Sequence, residues 1–141
     1  MSAASNYLEN EVLDHILGKG TRDFTSPASL YVALFTNTSG NAATNLEAGT
    51  LTDEVSTSGT AYARKAVTFN VASSGAATNN GAVTFDAATA DWGTVTHLAV
   101  VDGGTAGAGN VLFWGALTAS KIVNTGDTFV ISDTNLTITL A

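Results

Sequence analysis

The chain contains no cysteine. Thiol catalysis and disulfide stapling are excluded outright, and the redox compartment leaves no mark on the sequence. Charge is scarce too. Asp, Glu, Lys and Arg make up 12% of the 141 residues, about half of the ~25% usual in globular proteins. The five bases, Lys19, Arg22, Arg64, Lys65 and Lys121, form no run, and twelve acids outnumber them to give a formal net charge of -7. Nucleic-acid binding uses clustered Lys and Arg to displace counterions from phosphates, so no nucleic-acid partner is expected. No apolar stretch approaches the ~20 residues of a membrane helix, so no membrane partner is expected either. Residues 1–18 carry Glu9, Glu11 and Asp14, and lack the basic and apolar regions of a secretory leader. A soluble chain is the expectation.

The residues of common catalytic constellations are thin on the ground. There are two histidines. His97 sits within an alternating strand pattern, and His15 lies near a helix C-terminus, where its partial charge suits the dipole. Neither has a second histidine at metal-ligand spacing. There is no GxSxG elbow. Gly103 to Gly109 is glycine-rich, but it lacks the Lys-Ser/Thr ending of a phosphate loop and a strand follows it, so it reads as a hairpin loop. Asp86, Asp91 and Asp102 lie near turns without the run a calcium loop requires. A pair of hydrolytic carboxylates would be defined in space rather than along the chain, so these three stay as the weakest candidates. Trp92 and Trp114 read as core residues first and interface anchors second. The expectation is a protein that is not an enzyme, with no cofactor, no metal and no catalytic residue.

Threonine, serine, asparagine, alanine and glycine fill the places that charge leaves empty. Small side chains of this kind lose little rotamer entropy on ordering. A surface made of them can be covered by neighbours without stranding charges, which suits a component of an assembly.

Asn6 to Leu17 reads as the one convincing helix. Asn6 is placed to cap it, with Glu9 as the reciprocal partner, and Gly18 to stop it in the left-handed region. Leu8, Val12 and Ile16 form a stripe, which Leu13 and Leu17 widen. A helix of about 12 residues is marginal alone, so it must pack on its own sheet or on another protein. Tyr7, Leu8, Val12 and Ile16 are therefore the candidate interface. From Leu30 the period changes to two. Leu30 to Phe35 is apolar on both faces, as in a central strand. Residues 37–60 form a long polar loop with an edge strand near Leu51 to Val55. Tyr62 to Val71 alternates. Ser73 to Gly81 is turn chemistry, with Asn80-Gly81 the strongest hairpin signal, and Ala82 to Phe85 returns. Further strands fall at Thr94 to Val101, Val111 to Leu117, Lys121 to Val123, Thr128 to Ile131 and Asn135 to Leu140. About eight closely punctuated strands and one peripheral helix point to an all-β fold. A jelly-roll-like β-sandwich is the first expectation and an immunoglobulin-like sandwich the alternative. The chain reads as a single domain, 1–141, with the helix in 1–18 and the sandwich in 28–141.

Several blocks carry a resemblance. They are Ser5 to Gly18 (SNYLENEVLDHILG), Leu30 to Thr36 (LYVALFT), Tyr62-Ala63-Arg64 before a VTF strand, Ala90 to His97 (ADWGTVTH), Leu112 to Ser120 (LFWGALTAS) with Lys121, and Gly126 to Phe129 (GDTF). Together they resemble a family of small virion proteins of tailed bacteriophages, labelled as tail-fibre-like or as head decoration (cement) proteins. The resemblance implies a structural protein made in the host bacterial cytoplasm. Its first implication is a capsid decoration protein on the capsid exterior. Such a protein self-associates as a dimer or trimer and bridges capsomers by binding the major capsid protein. The alternative is a tail fibre or tail-tip receptor-binding or adaptor module, although no repetitive or coiled-coil shaft is visible.

Overall fold

The computed structural model describes residues 3–20 and 24–140. Met1, Ser2 and Ala141 of the expected segments, and Arg22 among the bases, lie outside the described residues. In chain order the elements are β1 (Ala3–Ala4), α1 (Asn6–Leu17), β2 (Leu30–Phe35), α2 (Ala42–Glu47), β3 (Lys65–Val67), β4 (Ala76–Thr78), β5 (Val83–Thr84), β6 (Gly93–Val101), β7 (Val111–Val123), β8 (Val130–Ile131) and β9 (Thr137–Thr139). Five strands form one antiparallel sheet in the order β1-β7-β6-β2-β3. Two antiparallel ribbons, β4-β9 and β5-β8, supply the remaining pairing. The protein is an all-β sandwich with a short N-terminal helix, and its second layer is split into ribbons.

The strands at the centre were the easiest to read for a physical reason. Both faces of β2 and of the end of β6 from Ala99 to Val101 are covered, so both sets of alternating side chains there must be apolar. On one face Val32, Leu34, Val95 and Val100 join Tyr62, Phe85, Trp92, Phe129, Ile131 and Leu136 in the larger core. On the other face Ala33, Phe35, Ala99, Val101 and Val111 pack with Leu46, Leu51 and Trp114. Each fully buried side chain of this size contributes roughly 1.5–3 kcal/mol.

Several local expectations change. Residues 37–60 hold α2, whose Ala42 and Leu46 are buried over the second face. Leu46 is the one large apolar side chain in α2, so a helix this short shows no period. Its start is held by Asn37 Oδ1, which accepts from the Ala42 N–H at 2.9 Å. The expected edge strand near Leu51 is a single bridge between Glu54 and Phe35. The hairpin turn lies at Ser74-Gly75 instead of Asn80-Gly81. Ser73 and Ala76 exchange both backbone hydrogen bonds, and φ is 52° at Ser74 and 77° at Gly75. Positive φ at both central residues is the signature of a type I′ turn, which matches strand twist. A Cβ at position 75 would also lie 2.9 Å from the Leu140 carbonyl.

Asn80-Gly81 instead carries the chain from one ribbon to the other, and Asn79 holds the crossing. Its fully buried side chain donates to the carbonyls of Gly81 (2.8 Å) and Ser132 (3.0 Å) and accepts from Leu136 N–H (2.8 Å). Asn79→Ala should cost about 2–4 kcal/mol, because it leaves the Leu136 N–H and two carbonyls without partners. Thermal denaturation measures the loss, and faster amide exchange at Leu136 locates it. The strand β7 merges two expected strands. Between the pairs His97–Ala116 and Val95–Lys121 it carries Leu117 to Ser120 opposite the single residue Thr96, a large bulge near the sheet edge.

Candidate interaction surface

The helix α1 is rooted at one point of the sheet. Ser5, one residue before the expected cap, is the N-cap, and it is fully buried. Its hydroxyl accepts from Leu8 N–H at 3.4 Å and donates to the Val111 carbonyl, while its own N–H donates to the Leu112 carbonyl at 2.9 Å. A hydroxyl can donate and accept at once, so serine ties the helix start to β7 as the Asn6 side chain does not. Gly18 stops the helix at φ 69°, ψ 34°, as expected.

Beyond this root the helix leaves the body of the protein. Leu8 is buried and Val12 half-buried, but Leu13, Ile16 and Leu17 are 53%, 72% and 66% exposed. Tyr7 stands at the margin of exposure. Of the four candidate interface residues, Leu8 is therefore enclosed by the fold, Val12 partly so, and Tyr7 and Ile16 remain accessible. At about 100° per residue, the Leu8–Val12 side and the Leu13–Ile16–Leu17 side point in different directions. The apolar stripe divides into an anchoring half and a free half.

The neighbouring Gly-rich loop is rigidly held. Arg64 and Glu54 form a two-pronged ion pair, with Nε–Oε1 at 2.7 Å and Nη2–Oε2 at 2.8 Å, and side chains 0% and 5% exposed. Arg64 Nη1 donates to the carbonyls of Gly103 and Ala108, both at 2.7 Å. Glu54 also accepts from the Tyr62 hydroxyl at 3.0 Å and Gly107 N–H at 2.7 Å. Every fork of the guanidinium is used, which is the geometry arginine supplies and lysine does not. Burial and the Glu54 charge push the Tyr62 hydroxyl far above its ordinary pKa, so it stays a donor to Glu54. At Gly109, φ is 83° and a Cβ would meet Asp102 Oδ1 at 2.7 Å, so this position requires glycine.

The residues considered for chemistry do not make a reactive set. Asp86 pairs with Lys65 at 2.8 Å. Asp91 accepts from Thr125 N–H and Oγ1, which hold its carboxyl below the usual range. Asp102 accepts from Asn110 N–H and Nδ2. Each is engaged by a partner: Lys65 of β3, Thr125 of a distant turn, and Asn110 of the same loop. Among the described residues, no group of three or more His, Asp or Glu converges as a metal site would. Trp92 is a core residue, edge-on to Tyr62 with ring centres 5.4 Å apart, and its Nε1 donates to the Thr60 carbonyl. Trp114 is half-buried and donates to Glu47 Oε2 at 2.8 Å.

His97 and Asp53 form a small titratable pair near α2. Burial lowers the His97 pKa below 6.5, and the Asp53 charge opposes it only in part. For Asp53, burial is outweighed by hydrogen bonds from Ser39 and Thr38, which hold its pKa below 3.8. Both shifts have one sign: the unfolded chain binds more protons than the folded one, so stability rises with pH and is lost as pH falls. The His97 contribution is lost as pH drops from about 6.5 towards its folded value, and that of Asp53 as pH drops below about 3.9. Asp53→Asn should narrow the difference between urea midpoints at pH 7 and pH 3. An unchanged difference would mean that other groups govern acid unfolding.

A second apolar surface lies on the sheet face under the β4-β9 ribbon. It is a groove of about 280 Å³ lined by Leu30, Phe69, Leu112, Phe113, Ile138 and Leu140, with small residues of the β4 hairpin along one wall. Pattern reading did not reveal it, because its lining comes from five separated stretches of chain.

Comparison with known proteins bears on what these surfaces serve. No curated protein matches the chain. A family described as Podophage GP4 fiber I protein gp80 matches residues 3–139. The match takes in the root of α1, the whole five-stranded sheet and both ribbons. The chain belongs to the Podophage GP4 fiber I protein gp80 family, a family of phage fibre structural proteins.

Proposed function

We propose that this chain is a structural subunit of a phage tail fibre and works through protein–protein contacts, not catalysis. The observation that carries the reading is the family match over residues 3–139, whose description is of a fibre protein. The physical character of the chain supports it. Charge is low, the Gly-rich loop is pinned by internal hydrogen bonds, and the second half of α1 exposes Leu13, Ile16 and Leu17. The three aspartates weighed as hydrolytic candidates are each engaged by a different partner, Lys65, Thr125 or Asn110, which favours contact over chemistry.

Head decoration, with the major capsid protein as partner and the capsid exterior as location, was the narrower expectation from resemblance. The fibre description favours the other branch. Electron microscopy of intact virions carrying a tag on this protein separates the two. Label confined to tail appendages is expected. Label covering the shell, at a copy number comparable with the major capsid protein, would return the assignment to decoration.

A further inference from the structure

The sequence holds a single Asn-Gly pair, Asn80-Gly81. Both residues are exposed, and they stand at the crossing between the two ribbons. Asparagine is thermolabile, and it is most so before glycine. Its side-chain carbonyl carbon lies within reach of the next backbone nitrogen, and glycine sets no Cβ beside that nitrogen. In the reaction the Gly81 nitrogen gives its proton to hydroxide and attacks Asn80 Cγ. An N–Cγ bond forms, the Cγ–Nδ2 bond breaks, and ammonia leaves with a proton from water. The product is a succinimide ring, which water opens. Hydrolysis of the new N–Cγ bond gives aspartate. Hydrolysis of the original backbone C–N bond gives isoaspartate, whose main chain runs through the side-chain carbons.

We propose that Asn80-Gly81 is a latent deamidation site and that Asp133 holds it unreacted. The peptide group between the two residues is bound at both ends by side chains. Its N–H donates to Asp133 Oδ1 at 2.8 Å, and its carbonyl accepts from Thr68 Oγ1 at 3.2 Å. Ring closure must remove that proton and turn the nitrogen's face towards Cγ, which breaks both bonds. The Asp133 charge opposes the first step directly. A carboxylate strengthens the N–H bond it accepts, and it repels the amide anion that loss of the proton leaves. The flanking backbone is fixed as well. Asn80 N–H donates to the Thr68 carbonyl at 2.9 Å, and the Gly81 carbonyl accepts from Asn79 Nδ2 at 2.8 Å.

The turn that presents Asp133 points the same way. Thr134 has φ 63°, a conformation that a β-branched residue rarely adopts. Strain of this kind persists only where the surroundings hold it. Thr134 N–H donates to the Asn79 carbonyl at 3.2 Å, so the turn is tied to the same crossing and sets Asp133 against Gly81. The position explains what is protected. Isoaspartate at 80 would lengthen the main chain beside Asn79, whose three side-chain hydrogen bonds join the ribbons. Either product would also place a second negative charge near Asp133.

The test uses the folded full chain, held for days at mildly alkaline pH. Peptide mass mapping follows Asn80, and methyl labelling by an isoaspartyl methyltransferase reads isoaspartate. The unsubstituted chain should lose Asn80 slowly when folded and much faster in denaturing urea. Asp133→Ala should speed the loss in the folded state by about fivefold or more, the factor that one net hydrogen bond contributes. Asp133→Asn keeps an acceptor without the charge, and should fall between the two. Asp133 is exposed, so thermal denaturation should show that both variants fold. Amide exchange at Leu136 should stay unchanged, as expected if the Asn79 crossing remains closed. Equal rates for the folded and unfolded chain would overturn the proposal, since nothing would then be guarded. An unchanged rate in Asp133→Ala would overturn it too, and a slower one would make the carboxylate a proton acceptor in the reaction. So would an acceleration matched by faster Leu136 exchange, because opening of the crossing would then set the rate.

Discussion

Arg64→Ala should destabilise the protein by about 3–5 kcal/mol, the loss expected when one partner of a buried ion pair is removed. The side chain is fully enclosed and makes four hydrogen bonds, two to Glu54 and two to loop carbonyls. Its removal strands the Glu54 carboxylate, which is itself almost completely covered. Equilibrium urea unfolding followed by tryptophan fluorescence measures the effect. Arg64→Lys should not restore stability, because an ammonium cannot reach Glu54 and the Gly103 and Ala108 carbonyls together. Arg64→Met combined with Glu54→Leu should lose much less than Arg64→Ala, since no charge is left buried without a partner. If the double variant is as unstable as the single one, the loop carbonyls rather than the ion pair dominate. The same change should loosen the segment from Gly103 to Ala108 first, visible as faster amide exchange at Gly107, whose N–H is held by Glu54.

Phe85→Ala should have an effect of similar size, about 3–5 kcal/mol. Phe85 is 1% exposed and stands at the meeting point of an aromatic group. Its ring centre lies 6.1 Å from Tyr62, 6.1 Å from Trp92 and 5.8 Å from Phe129. These rings come from the segment before β3, from just after β5, from just before β6 and from just before β8. Truncation opens a cavity between the central sheet and the β5-β8 ribbon, and the lining rings can relax only partly into it. Phe85→Leu should cost about 1–2 kcal/mol, since most of the volume stays filled. Thermal denaturation of both variants gives the order, and a shifted Trp92 emission reports the altered packing. Near-equal losses for Ala and Leu would indicate that ring geometry matters more than volume at this site.

These two sites differ in how far they could be read from the sequence. Phe85 and Trp92 were legible as apolar residues flanking turns, and Trp92 as a core residue. The Arg64 clamp was not legible. Its partners lie 10, 39 and 44 residues away along the chain, and nothing local marks an arginine as buried. The candidate interface was legible in part. The α1 stripe follows from spacing alone, but spacing cannot tell that Leu8 closes against β7 while Ile16 and Leu17 project into solvent. That division depends on where the sheet ends beneath the helix. The groove was invisible for the same reason, since residues from Leu30 to Leu140 must converge before it exists.

The helix boundary near Gly18, the doubly apolar β2 and the all-β class were determined by the sequence itself. Each depends on side chains within one turn of helix or a few residues of strand, where periodicity and turn preferences act directly. The turn at Ser74-Gly75 in place of Asn80-Gly81, the short α2, the split second layer and the free end of α1 were decided by tertiary structure. Local preferences at those positions are worth about 1 kcal/mol or less, and burial of a few side chains contributed by distant strands outweighs them.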